Sequence, residues 1–177
     1  MTTKRICMLA LGVALFVALS LCLQVPVFEN YYLCLGYVVM TVFCYCFGPG
    51  SGMIVGGLGV VLYCMVTGGM RGMPGWAAGN LLIGLIVGMC CKLTLKMGSK
   101  WMRYILIGIS VVLSAGIGIL MVKSLVETIL YAQPMILRLA KNLYAFVADA
   151  FVMIFSLPIC VGIRKVISKS FADEMMS

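Results

Sequence analysis

A few polar residues stand in stretches that are otherwise apolar, and they pose the first chemical question. Asp149 sits inside LYAFVADAFVMIFSLP and Asn80 inside GWAAGNLLIGLIVG, while Lys123 and Glu127 are four residues apart and share one helical face. A carboxylate in an apolar run is costly unless it meets a partner, water or a ligand, so Asp149 marks a candidate functional site. The amide of Asn80 both donates and accepts, which suits ligand recognition or an interhelical bond. Lys123 and Glu127 neutralise each other or frame a pocket at the outer end of their helix. Chemistry that breaks bonds is not indicated. The chain has no histidine, no carboxylates paired at a useful spacing and no nucleophile elbow, so we expect no catalytic residue and no enzyme.

Two further features look chemical at first sight. The stretch GPGSGMIVGG (48–57) is as rich in glycine as a phosphate-binding loop. Such a loop needs a lysine for the phosphates and a hydroxyl for the metal, between a strand and a helix. Here Met53, Ile54 and Val55 follow, and no lysine lies between Arg5 and Lys92. Gly48, Pro49 and Gly50 read instead as a tight turn, and Gly52, Gly56, Gly57 and Gly59 as a thinned helix surface. The 9 cysteines are scattered through apolar runs without a C-x-x-C pair, so they read as small buried hydrophobes. Neither a metal site nor a cofactor is expected.

The elements that must position these groups follow from composition. With 64% hydrophobic and 10% charged residues, the chain falls outside the range of soluble domains and is read as an integral membrane protein. At roughly 20 residues per crossing there is room for about six spans and no separate soluble domain. Apolar runs place them at about 6–24, 32–47, 51–67, 76–95, 102–122 and 143–163, a single all-α domain over 1–177. The apolar run after Lys4 and Arg5 is too long for a secretory h-region and is expected to stay as the first span. The segment 123–142, interrupted by Pro134, reads as a helical extension, a turn and the approach to the last span.

Basic residues set the orientation. With both termini in the cytoplasm, Lys4, Arg5, Lys92, Lys96, Lys100, Arg103, Arg164, Lys165 and Lys169 lie inside, and Arg71, Lys123, Arg138 and Lys141 outside. The net charge of +8 then faces an anionic lipid leaflet and requires no nucleic acid. The outer side gathers Glu29, Asn30, Tyr31, Arg71 and Trp76, with Glu127, Tyr131 and Asn142 further along the chain. These are hydrogen-bonding and aromatic groups such as an organic ligand uses. An aromatic interfacial belt would also account for Tyr31 and Trp76.

In the first span, Ala10, Ala14 and Ala18 recur on one face as an A-x-x-x-A stripe smooth enough for close helix packing. Together with FGPGSGMIVGGLG and PGWAAGNLLIGLIVG, this pattern makes the chain resemble the substrate-binding membrane subunit, or S-component, of energy-coupling factor transporters. The resemblance implies a prokaryotic plasma-membrane protein that captures a vitamin or related micronutrient at its outer face. It implies docking through Ala10, Ala14 and Ala18 on a transmembrane coupling subunit that carries two ATP-binding cassette subunits. It also places Asn80 near substrate, and Glu29, Asn30, Tyr31, Lys123, Glu127, Tyr131, Asn142 and Asp149 in regions that line the pocket. The vitamin is left open. Two other readings compete: a small polytopic scaffold protein without a ligand, and a self-sufficient secondary carrier, although no inverted repeat is evident.

Overall fold

The computed structural model describes residues 3–22, 25–28, 31–94 and 97–170. It is an all-α polytopic membrane bundle. Among the described residues, five helical stretches are long and apolar enough to cross a bilayer: Thr3–Cys22, Pro49–Thr67, Met73–Thr94, Trp101–Tyr131 and Met135–Ile167. We label the helices α1 (Thr3–Cys22), α2 (Gly36–Phe47), α3 (Pro49–Thr67), α4 (Met73–Thr94), α5 (Lys100–Ala115), α6 (Ser124–Tyr131) and α7 (Met135–Ser170). α2, with 12 residues, is about 18 Å long, well short of a hydrocarbon core of about 30 Å.

A feature absent from the sequence reading explains how so short a helix is accommodated. Before α2 the chain forms an antiparallel hairpin of β1 (Val25–Phe28) and β2 (Tyr31–Leu33), with Val25 opposite Leu33 and an irregularity between Pro26 and Phe28. The hairpin packs beside α7. Its strands pair with each other, which meets part of the backbone hydrogen-bonding demand at this end of the bundle.

Small residues fix how the helices approach one another. A Cβ on Gly12 would meet the Phe43 ring, and one on Gly36 would meet Ser20 and Phe16, so α1 and α2 run antiparallel with little between them. Gly84 of α4 lies on the backbone of Gly52 and Met53, where an added Cβ would come within 2.7 Å of main-chain atoms. Gly48 and Gly68 take φ of 84° and 74°, making the turn into α3 and the left-handed cap at its end. The core between the helices is filled by Phe16, Tyr37, Met40, Val55, Ile83, Val87, Ile107 and Met153.

α5 passes into α6 through an eight-residue π-helix, Gly116–Lys123. Its cause can be read from the buried positions. Ile107, Val111, Ala115, Ile119, Lys123 and Glu127 are all buried and recur every four residues. A helix of 3.6 residues per turn overshoots by about 40° at each step of four, so five steps would carry Glu127 roughly 200° around the axis. The wider turns of a π-helix absorb that drift and keep one face inward. Leu125 and Ile129, on the other side, are 50% and 72% exposed. Ala132, in the left-handed region at φ 49°, then closes α6 before Pro134, and α7 begins one residue later. The last helix is therefore longer than its apolar stretch, and Pro158 lies inside it.

Candidate functional site

The polar residues singled out from the sequence gather toward the hairpin end of the bundle, and a residue that was not singled out stands at their centre. Tyr37, in the first turn of α2, is fully buried. Its hydroxyl donates to Asn80 Oδ1 at 2.7 Å and accepts from Trp76 Nε1 at 2.9 Å. Asn80 Nδ2 donates to the Gly56 carbonyl at 3.3 Å. Asn80 thus ties α4 to both α2 and α3, with each end of its amide engaged. Trp76 meets Tyr63 edge to face at 5.6 Å, and Lys123 Nζ stands 5.9 Å from the centre of a Trp76 ring.

Asp149 on α7 is buried and faces both the Tyr37 hydroxyl and Lys123. Lys123, at the end of the π-helix, has Glu127 and Asp149 as its opposite-charge neighbours. The inward turn that the π-helix imposes is what brings this ammonium group to the bundle interior. Gly75, one residue before Trp76, makes the closeness possible, since a Cβ there would lie 3.0 Å from the Lys123 carbonyl.

A second layer lies between α6 and α7. Glu127 pairs with Arg138 at 3.4 Å, and Asn142 Nδ2 donates to Ser124 Oγ at 2.9 Å and to Glu127 Oε2 at 3.4 Å. The Tyr131 hydroxyl donates to the Arg71 carbonyl, while the guanidinium groups of Arg71 and Arg138 stand 5.5 and 6.0 Å from its ring centre. Asn142 Oδ1, Thr128 Oγ1 and Arg138 Nε are buried without hydrogen-bond partners.

Of the sequence-predicted residues, Trp76, Asn80, Lys123 and Asp149 meet around Tyr37, and Arg71, Glu127, Tyr131 and Asn142 form the adjoining layer. Glu29 and Asn30 lie outside the described residues. Tyr31 enters only as the first residue of β2. Ala10, Ala14 and Ala18 do not join the site: all three are exposed on α1, opposite its buried face of Leu9, Gly12, Val13, Phe16 and Ser20. Tyr37, Ser124 and Arg138 were not among the predicted site residues. Arg138 was visible as an outer basic residue, whereas Tyr37, in the apolar run GYVVM, carried no signal.

The arrangement offers aromatic faces, amide and hydroxyl groups, and three cations, Arg71, Lys123 and Arg138, against the two carboxylates Glu127 and Asp149. Among the described residues, no group of histidine, cysteine, aspartate or glutamate could hold a metal ion. Residues 1–165 match the family model described as ECF-type riboflavin transporter, S component. No curated protein matches the chain.

Proposed function

From the chain's membership of the family of S components of ECF-type riboflavin transporters, we propose that it captures riboflavin at the hairpin end of the bundle. The chain is a substrate-binding, multi-pass membrane subunit of an energy-coupling factor transporter, and that family is one of transporter components, not enzymes. Riboflavin as the cargo is supported by the buried cluster of Tyr37, Trp76, Asn80, Lys123 and Asp149, with Glu127, Tyr131, Arg138 and Asn142 beside it. Riboflavin combines a planar tricyclic ring with an imide edge and a polyol chain. The rings of Trp76, Tyr63 and Tyr131 match the first, and the amides, hydroxyls and charged groups match the others.

In this reading the hairpin end faces outward and both chain ends face the cytoplasm of a prokaryotic cell. Glu29, Asn30 and Tyr31 border the entrance, and Arg71 and Tyr131 brace the connection between α3 and α4 against the end of α6. The exposed alanines of α1 meet a transmembrane coupling subunit, and two ATPase subunits bound to it supply the energy. The glycine-rich turn at the start of α3 binds no nucleotide. Titrating the purified protein with riboflavin and following flavin fluorescence tests the assignment. We expect saturable quenching at a stoichiometry of one; unchanged fluorescence, with the protein still folded, would remove riboflavin as the cargo.

A further inference from the structure

Residues 68–72 join α3 to α4 at the hairpin end of the bundle. One turn below them, Tyr63 of α3 and Trp76 of α4 meet edge to face, and Trp76 reaches the Tyr37 hydroxyl, so the connection caps one side of the buried cluster. Its own bonds are local. Gly68 turns the chain in the left-handed region at φ 74°, Gly72 N donates to the Gly69 carbonyl at 3.2 Å, and Trp76 N donates to the Gly72 carbonyl at 3.1 Å. A Cβ on Gly68 or Gly72 would meet nothing within 4 Å, so both ends of the connection border open space. Among the described residues, one hydrogen bond ties it to another element: the Tyr131 hydroxyl, at the end of α6, donates to the Arg71 carbonyl. The Arg71 guanidinium lies 5.5 Å from the Tyr131 ring centre, and Arg138, paired with Glu127 at 3.4 Å, lies 6.0 Å from it.

One neutral hydrogen bond to a main-chain carbonyl adds little to the stability of the fold. A segment with glycine at three of its five positions and little packing around it opens at low cost. Such a segment, fastened at a single point beside a buried polar cluster, has the make-up of a closure. We propose that residues 68–72 are a strap across the mouth of the cluster, that the Tyr131 hydroxyl is its catch, and that the strap parts each time cargo enters or leaves. This rests on the proposed function for the direction of entry and for the cargo. The catch bonds to the chain itself, so its loss lowers the barrier to passage equally from both sides.

Tyr131→Phe removes the catch and keeps the ring beside its two guanidinium groups. Stopped-flow mixing of riboflavin with the full-length protein in detergent, read by flavin fluorescence, should show association and dissociation rising together by about fivefold, the effect of one neutral hydrogen bond. Hydrogen exchange read by mass spectrometry, on protein without riboflavin, follows the strap independently of cargo. The amides of residues 69–72 should exchange about fivefold faster in Tyr131→Phe than in the wild type. Faster dissociation with unchanged association overturns the proposal, because the hydroxyl would then hold the cargo instead of the strap. Exchange of residues 69–72 unaltered in the variant also overturns it. Failure of the wild-type protein to bind riboflavin would strike the proposed function instead, and the exchange measurement would still decide whether Tyr131 fastens the strap.

Discussion

Tyr37 shows how much one hydroxyl can organise in an apolar bundle. It accepts from α4, donates to α4 and faces a carboxylate on α7, so helices distant in sequence are held to one point. The groups around it were legible in the sequence wherever charge or an amide stood out against aliphatic residues, as Asp149, Asn80, Lys123 and Glu127 did. Tyr37 was not, because a buried tyrosine and an interfacial one read alike until the partner of the hydroxyl is known. Breaking the Lys123–Asp149 arrangement from one side leaves a charge in low dielectric, at a cost of about 3–5 kcal/mol. Asp149→Ala should therefore lower the melting temperature and weaken riboflavin binding by about tenfold or more. Adding Lys123→Met to Asp149→Ala should recover the melting temperature without recovering affinity. Thermal unfolding read beside flavin titration separates the two effects, and recovery of both would mean that the pair serves stability alone.

At the scale of elements, the π-helix is the least expected part and the one with the clearest cause. The apolar run was readable, but the four-residue spacing from Ile107 to Glu127 becomes meaningful only once those positions are known to be buried together. The hairpin was similarly hidden: VPVF and YYL flank only Glu29 and Asn30, without the glycine that usually announces a tight turn. A π-helix holds slack that an α-helix lacks. Deletion of Leu120 should let the segment relax toward α-helical turns while Lys123 and Glu127 still face inward, and riboflavin binding should fall by no more than a few fold. Deletion of Leu85 in α4 has no such slack and rotates the rest of that helix by about 100°. It should abolish monodisperse, folded protein in size-exclusion chromatography. Equal damage from both deletions would contradict the register argument.

For the whole molecule, the proposed function is divided between two surfaces that do not overlap. The buried polar cluster lies inside the bundle toward the hairpin, and the alanine stripe of α1 lies on its outside. The stripe was legible as spacing, yet its direction was not: Ala10, Ala14 and Ala18 could have packed inward as readily as Gly12 does. Ala14→Leu adds bulk at an exposed position of α1. We therefore expect riboflavin affinity to stay within about twofold and the melting temperature to change little, while co-purification with the coupling subunit and uptake into cells fall sharply. Lost ligand binding with intact assembly would place the stripe in the wrong role.

The charges in the buried polar cluster bear on energetics across the membrane. Lys123 and Arg138 stand against Glu127 and Asp149 and leave Arg71 as a formal positive charge beside Tyr131, whereas riboflavin, in the function proposed above, brings none. Moving a single elementary charge through a membrane potential of 100 mV involves about 2.3 kcal/mol. A neutral cargo adds nothing to that term, so any dependence on voltage comes from movement of the protein's own charges. In the proposed function, capture of a neutral cargo by a site that stays in place would then be indifferent to voltage.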